Sequence, residues 1–239
     1  MPIAQAGELS ERLAMFPLWS GKPSLDIAVG DLIYPDWFEG TWRVRSVLKT
    51  QIAPLAPEIV TPGFQQNEQY LEEPVSFEVR FRPTSQGLKT GVLPSVFGSQ
   101  LPVVSDRAFN GLRIARAYLG ESGVRKVKVD PANPNRQLTE LADQQVLVST
   151  VTARASETPS AREFISSELT QQQFRGQRRT SIYLNQVETT TGYRQIMTGQ
   201  IQADQVTAIY LSPQDPNFFD AGGRPVALYR YHLDLKRLN

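Results

Sequence analysis

A single imidazole, His232, is all that the 239 residues offer for acid–base chemistry near neutral pH, and there is no cysteine at all. Without thiols the chain forms no disulfide, no thiolate nucleophile and no cysteine-ligated zinc or iron–sulfur centre. One histidine excludes sites that need two, such as H-E-x-x-H, so no metal site is expected. A Ser-His-Asp triad would have to use His232, and no G-x-S-x-G elbow supplies the serine. Neither a G-x-x-x-x-G-K-[ST] phosphate loop nor a G-x-G-x-x-G turn is present. The 24 Asp and Glu are scattered, so no carboxylate pair stands out for general acid–base work. The inventory points away from catalysis and assigns no catalytic residue. His232, in mid-strand, reads as a structural imidazole.

What remains is apolar and aromatic. Phe77 and Phe81 share one face of an alternating segment, and Tyr229 and Tyr231 share one face of the last strand. These four are the candidates for lining an apolar pocket. Phe218 and Phe219 stand together in a Pro- and Gly-rich stretch, either tucked under the fold or exposed as a docking point. Charge offers little, because 25 Lys and Arg nearly balance the 24 acids for a net charge of +1. That argues against a nucleic-acid partner, which a basic footprint would mark. The run Arg175-Gly-Gln-Arg-Arg179 reads as a solvated turn. No stretch approaches the ~20 apolar residues of a transmembrane segment.

The elements that must position these side chains are mostly strands. Val75, Phe77, Val79 and Phe81 alternate with Ser76, Glu78, Arg80 and Arg82, the pattern of a half-buried strand ended by Pro83. Thr41–Ile52 is also rich in strand formers, and residues 61–74 read as a long loop. Residues 8–16 suit a short helix stopped by Pro17, and residues 17–35 an extended lead-in. Ser105 or Asp106 can cap a helix running to about Leu119, with Ala108, Leu112, Ala115 and Leu119 on one face and Gly120 at its end. Beyond it come strands at 124–129, 136–141, 145–155, 164–174, 180–189, 193–201, 206–211 and 226–235. Turns are expected at Thr190-Thr-Gly192 and Gln202–Gln205, and a loop at 212–224. Roughly nine strands, mostly with short links, and one or two short helices predict an all-β, antiparallel up-and-down barrel with long loops. Residues 1–30 read as the lead-in and 31–239 as one barrel domain.

Near the first strand the chain reads Tyr34-Pro-Asp-Trp-Phe-Glu-Gly-Thr-Trp-Arg-Val44, and Gly40-Thr41-Trp42 has the G-x-W form that opens the barrel of lipocalins and their calycin relatives. The resemblance implies a lipocalin-like barrel in which Gly40 permits a tight start and Trp42 plugs the closed end. An arginine from the last strand region would lie over the indole, with Arg230 the first candidate and Arg237 just beyond the strand the second. The strings Phe16-Pro-Leu-Trp19, Asp31–Trp42, Pro57–Phe64 and Phe109–Gly120 resemble a family of cyanobacterial and plastid proteins without a settled activity. That resemblance, with the A-x-A export pattern Ala4-Gln5-Ala6, implies an address in the thylakoid lumen or periplasm; a cytoplasmic or stromal address is the alternative. Two functions stand open. The barrel carries a small apolar ligand such as a lipid, carotenoid or tetrapyrrole pigment, or it is a filled accessory protein that docks on subunits of a photosynthetic membrane complex through its loops. A chromophore lyase is a third, weaker reading, and the His-rich stretch of phycobiliprotein lyases is missing.

Overall fold

The computed structural model describes residues 7–84, 101–176 and 183–238. The Ala4-Gln5-Ala6 pattern, residues 177–179 of the basic run and the start of the strand expected from Thr180 lie outside the described residues. Helix α1 (Glu8–Ala14) and two short strands, β1 (Asp26–Ile27) and β2 (Ile33–Tyr34), precede β3 (Gly40–Ile52), β4 (Pro74–Pro83) and β5 (Val103–Ser105). Helix α2 (Arg107–Leu119) leads into β6 (Val124–Asp130), β7 (Asn133–Leu141), β8 (Val146–Ser160), β9 (Glu163–Arg175), β10 (Tyr183–Met197) and β11 (Gln200–Leu211). A one-turn helix α3 (Phe218–Ala221) comes before the last strand, β12 (Ala227–Arg237).

The strands form one sheet in the order β2-β5-β4-β3-β12-β11-β10-β9-β8-β7-β6, and β1 pairs with the second half of β8 beyond the end of β7. Every pairing between these strands is antiparallel. From β6 to β12 each strand pairs with its chain neighbour, and β12 then pairs with β3. The fold is therefore all-β and up-and-down, a sheet curled into a half-barrel whose two outermost members, β2 and β6, are not joined to each other.

Two expected turns are strand. β10 runs straight through Thr190-Thr191-Gly192, and the hairpin lies instead at Gly199, whose φ of +76° suits glycine. Gly192 serves a different purpose, since a Cβ there would stand 3.0 Å from Leu13 Cδ1 of α1. The missing side chain lets the helix pack down on the strand. The polar run Gln202–Gln205 belongs to β11, where Gln202 and Asp204 point to the outer face and Asp204 pairs with Arg230 of β12. The stretch 61–74, expected as a loop, contains a 3₁₀ turn over Gln65–Tyr70.

The two faces of the sheet are built differently. On the outer face the segment 7–21 forms a strap fastened by one buried ion pair. Arg12 donates from Nε to Glu188 Oε1 at 2.5 Å and from Nη2 to Oε2 at 2.6 Å, and Glu188 is fully buried. The remaining acceptor capacity of that carboxylate is met by Tyr210 (2.9 Å) and Thr190 (2.8 Å), with Ser167 2.8 Å beyond Thr190. Trp19 lies over the Arg12 guanidinium at 3.9 Å and packs with Val206, Ala208 and Leu228. A buried charge is tolerated only when paired and hydrogen-bonded, and this one is saturated. On the inner face, Phe38, Trp42, Phe81 and Phe164 form the centre of the largest apolar cluster.

Arg12→Ala is expected to strand the Glu188 carboxylate and to cost about 3–5 kcal/mol, read as a lowered denaturation midpoint. Adding Glu188→Gln should recover part of that loss, and no recovery would mean that strap packing, not charge pairing, dominates.

Candidate functional site

The site begins with how the open sheet is closed. Helix α2 lies across the gap, touching β4 on one side and β6 and β7 on the other. It starts where the sequence suggests, with Asp106 as N-cap accepting from the Phe109 amide at 3.3 Å, and it stops at Gly120, whose φ is +80°. The residue it buries is not the expected one. Ala108, Leu112 and Ala115 are only half-buried and Leu119 is exposed, whereas Asn110 is buried. Its side-chain amide takes up both backbone groups of Arg80 in β4: the Arg80 N–H donates to Oδ1 at 2.6 Å and Nδ2 donates to the Arg80 carbonyl at 3.1 Å. Asn110 thus continues the hydrogen-bond ladder of β4 beyond the end of β5. Asp106 reinforces the contact, accepting from Arg80 Nη2 at 2.7 Å, while the Arg80 guanidinium lies 4.3 Å from the Phe109 ring. At the start of the helix Arg107 reaches the far wall, donating to Glu168 of β9 at 2.8 Å and to Asp31 at 3.3 Å.

Under α2 lies a cavity of about 250 Å³. Ile114 and Tyr118 form its roof; β3, β4, β11 and β12 form the floor with Val44, Phe77, Gln205 and Leu233 among others. Among the described residues no charged side chain lines it. A larger hollow of about 490 Å³ lies on the outer face beside Gln202, Asp204, Arg230 and His232. There Arg230 pairs with Asp204 across β11 and β12, and His232 Nε2 lies 3.5 Å from Asp234 of its own strand. Among the described residues no group of His, Asp and Glu could hold a metal ion.

Of the four residues expected to line a pocket, Phe77, Phe81 and Tyr231 reach this cavity. Tyr229 does not. It shares the inner face with Tyr231, but the segment 53–73 closes over that end, putting Phe64 6.0 Å from its ring and the Asn67 amide on its hydroxyl at 3.2 Å. Strand alternation gives the face; it cannot give the loop that covers it.

Trp42 is fully buried and donates from Nε1 to the Phe38 carbonyl at 2.7 Å. The arginine over its ring is Arg237, 5.5 Å away, and not Arg230. Arg230 sits on the outer face, bound to Asp204 and 5.4 Å from the Phe16 ring. Arg237 is the cross-strand partner of Trp42 and therefore projects from the same face. Gly40, at φ +123°, makes room for it, because a Cβ there would stand 2.9 Å from Arg237 Nε. Phe218 and Phe219 part company: Phe218 packs with Leu55, Ile59 and Val226, while Phe219 is 86% exposed.

Sequence reasoning missed Asn110, Ile114 and Tyr118. Their spacing of four puts them on one helix face, a signal present in the chain but outweighed there by the stripe of Ala and Leu.

Burial raises several tyrosine hydroxyls above their ordinary range. Tyr193 is pushed up to about 12, and Tyr34, Tyr210 and Tyr231 are raised too, Tyr210 with help from the Glu188 carboxylate. All four are neutral in the fold, so their contribution to stability is complete below the unfolded value of about 10 and is lost as pH climbs through the folded values. An alkaline titration should release tyrosinate absorbance from these four together with the loss of near-ultraviolet dichroism. Release of all eight tyrosines near pH ~10 with the dichroism intact would contradict their burial.

No helix among the described residues is long and apolar enough to cross a membrane. No curated protein and no solved structure matches the chain. A family model does, over residues 26–239, and the chain belongs to that family, the Domain of unknown function DUF6816.

Proposed function

We propose that this chain is a non-enzymatic binding protein that holds a small apolar ligand between α2 and the inner face of the half-barrel. The observation that carries the reading is the uncharged cavity of about 250 Å³ beneath Ile114 and Tyr118. Drug-sized ligand sites span roughly 300–1,000 Å³, so this one suits a single ring system or the end of an acyl chain rather than a whole carotenoid or tetrapyrrole. The G-x-W start at Gly40-Thr41-Trp42, with Arg237 over the indole, supports a lipocalin-like architecture, and ligand carriage is common among such barrels. The resemblance to cyanobacterial and plastid proteins, together with Ala4-Gln5-Ala6, supports an origin in a photosynthetic organism and a lumenal or periplasmic address.

One observation favours a second reading. Phe219, on a one-turn helix and 86% exposed, is a large apolar side chain offered to solvent. It would serve as an anchor if the chain instead docks on a photosynthetic membrane complex, with Phe218 bracing it from below at 5.4 Å.

Native mass spectrometry of the protein isolated from its source should find one small molecule per chain. Ile114→Trp, which fills the cavity from its roof, should abolish that mass while far-ultraviolet dichroism is unchanged. A ligand-free protein that captures photosystem subunits, and loses them on Phe219→Ala, would overturn the carrier reading in favour of docking.

A further inference from the structure

Apart from Tyr193, opposite Ala203, most hydrogen-bonding groups of the cavity lie toward one end, and the strand register says which. Moving up from Trp42, the inner-face residues opposed on β3, β12 and β11 are first Val44, Leu235 and Ile201, then Ser46, Leu233 and Ala203, then Leu48, Tyr231 and Gln205. Thr207 follows on β11, opposite Tyr229. The layer nearest Trp42 is therefore wholly apolar, whereas hydrogen-bonding groups gather beside Tyr231, where Tyr118 of α2 also lines the space.

The hydrogen bonds already made there leave mainly donors. The Gln205 carbonyl oxygen accepts from Thr191 at 3.3 Å, which leaves its NH₂ group directed elsewhere. The Tyr231 and Thr207 hydroxyls have no partner among the described residues. Tyr118 meets Ser46 only at 3.5 Å. A phenol donates better than it accepts, and the NH₂ group of an amide is a donor only. Among the described residues no cation lines the cavity to balance a carboxylate or phosphate taken out of water.

We propose that the cavity selects an uncharged carbonyl compound of ring size, its apolar end toward Trp42 and its carbonyl oxygen received by Tyr231 and Gln205. This rests on the reading of the cavity as a ligand site and adds the ligand's chemical class and orientation. Burial raises the Tyr231 and Tyr118 hydroxyls above their ordinary range, so both stay protonated donors throughout physiological pH.

Titration calorimetry with three matched probes, naphthalene, acetylnaphthalene and naphthoate, tests the two claims separately. The ketone should bind about three- to tenfold more tightly than the hydrocarbon, the worth of one net hydrogen bond. Naphthoate should bind more weakly than both. Tyr231→Phe should bring the ketone down toward the hydrocarbon and leave naphthalene unchanged, and Gln205→Leu, which removes the other donor, serves as the second variant should the first not fold. Equal affinity for ketone and hydrocarbon, or preference for naphthoate, would overturn the carbonyl assignment while leaving the ligand site standing. If the folded protein binds none of the three, the site reading falls and this inference with it.

Discussion

A half-barrel built from one antiparallel sheet has two unpaired edges, and the molecule depends on how helix α2 lies across the gap between them. An open edge exposes a row of backbone donors and acceptors and invites pairing with another chain. Here Asn110 satisfies the Arg80 peptide on both sides, as the next residue of a strand would, and Arg107 ties the start of the helix to Glu168 on the opposite wall. The substitution has a geometric consequence. Neighbouring strands lie about 4.8 Å apart, whereas a helix with its side chains is about 10 Å across. A helix in the seam holds the walls wider than a strand would, so inner-face side chains do not all meet. The space beneath Ile114 and Tyr118 follows from that mismatch.

The rest of the fold isolates this space. On the outer face the 7–21 strap, clamped by Arg12 on Glu188, shields the middle of β9, β10 and β11. At one end of the inner face, residues 34–38 fold inward and put Phe38 about 5 Å from the rings of Tyr34, Phe81 and Tyr193, filling that end with aromatic contacts. At the other end, Phe64 and Tyr70 cover Tyr229 and Tyr118, and the Tyr70 hydroxyl donates to the Tyr118 carbonyl at 3.1 Å. Both ends of the inner face are thus packed, and the space lies between them under α2.

Period and capping chemistry made much of this legible. The Val75–Phe81 alternation, the Asp106 cap and Gly120 stop, and the G-x-W start at Gly40 are local features whose meaning does not depend on distant residues. What was illegible involves partners far along the chain. Gly192 resembles a turn residue until Leu13 is seen packed against it. Glu188 looks like a surface acid in an alternating strand, and only Arg12, brought back by the strap, explains its burial. The sequence favours Arg230 over Arg237 as the partner of Trp42, whereas the choice turns on which face each occupies in the β3–β12 register, and that face is Arg237's. Asn110 was hidden for a related reason. A polar residue on a helix is ordinarily solvated, and its value here lies in the backbone N–H of Arg80 in β4, from which it accepts a hydrogen bond.

Ligand carriage depends on a largely apolar space roofed by α2. A crystal structure under xenon pressure tests it most directly, since xenon enters dry apolar spaces and leaves packed or hydrated ones empty. Xenon is expected between Ile114, Phe77, Val44 and Leu233, on the Trp42 side of Tyr231. A packed interior in which Ile114 meets Leu233 with no gas between them, or a chain of ordered waters in the same place, would contradict it.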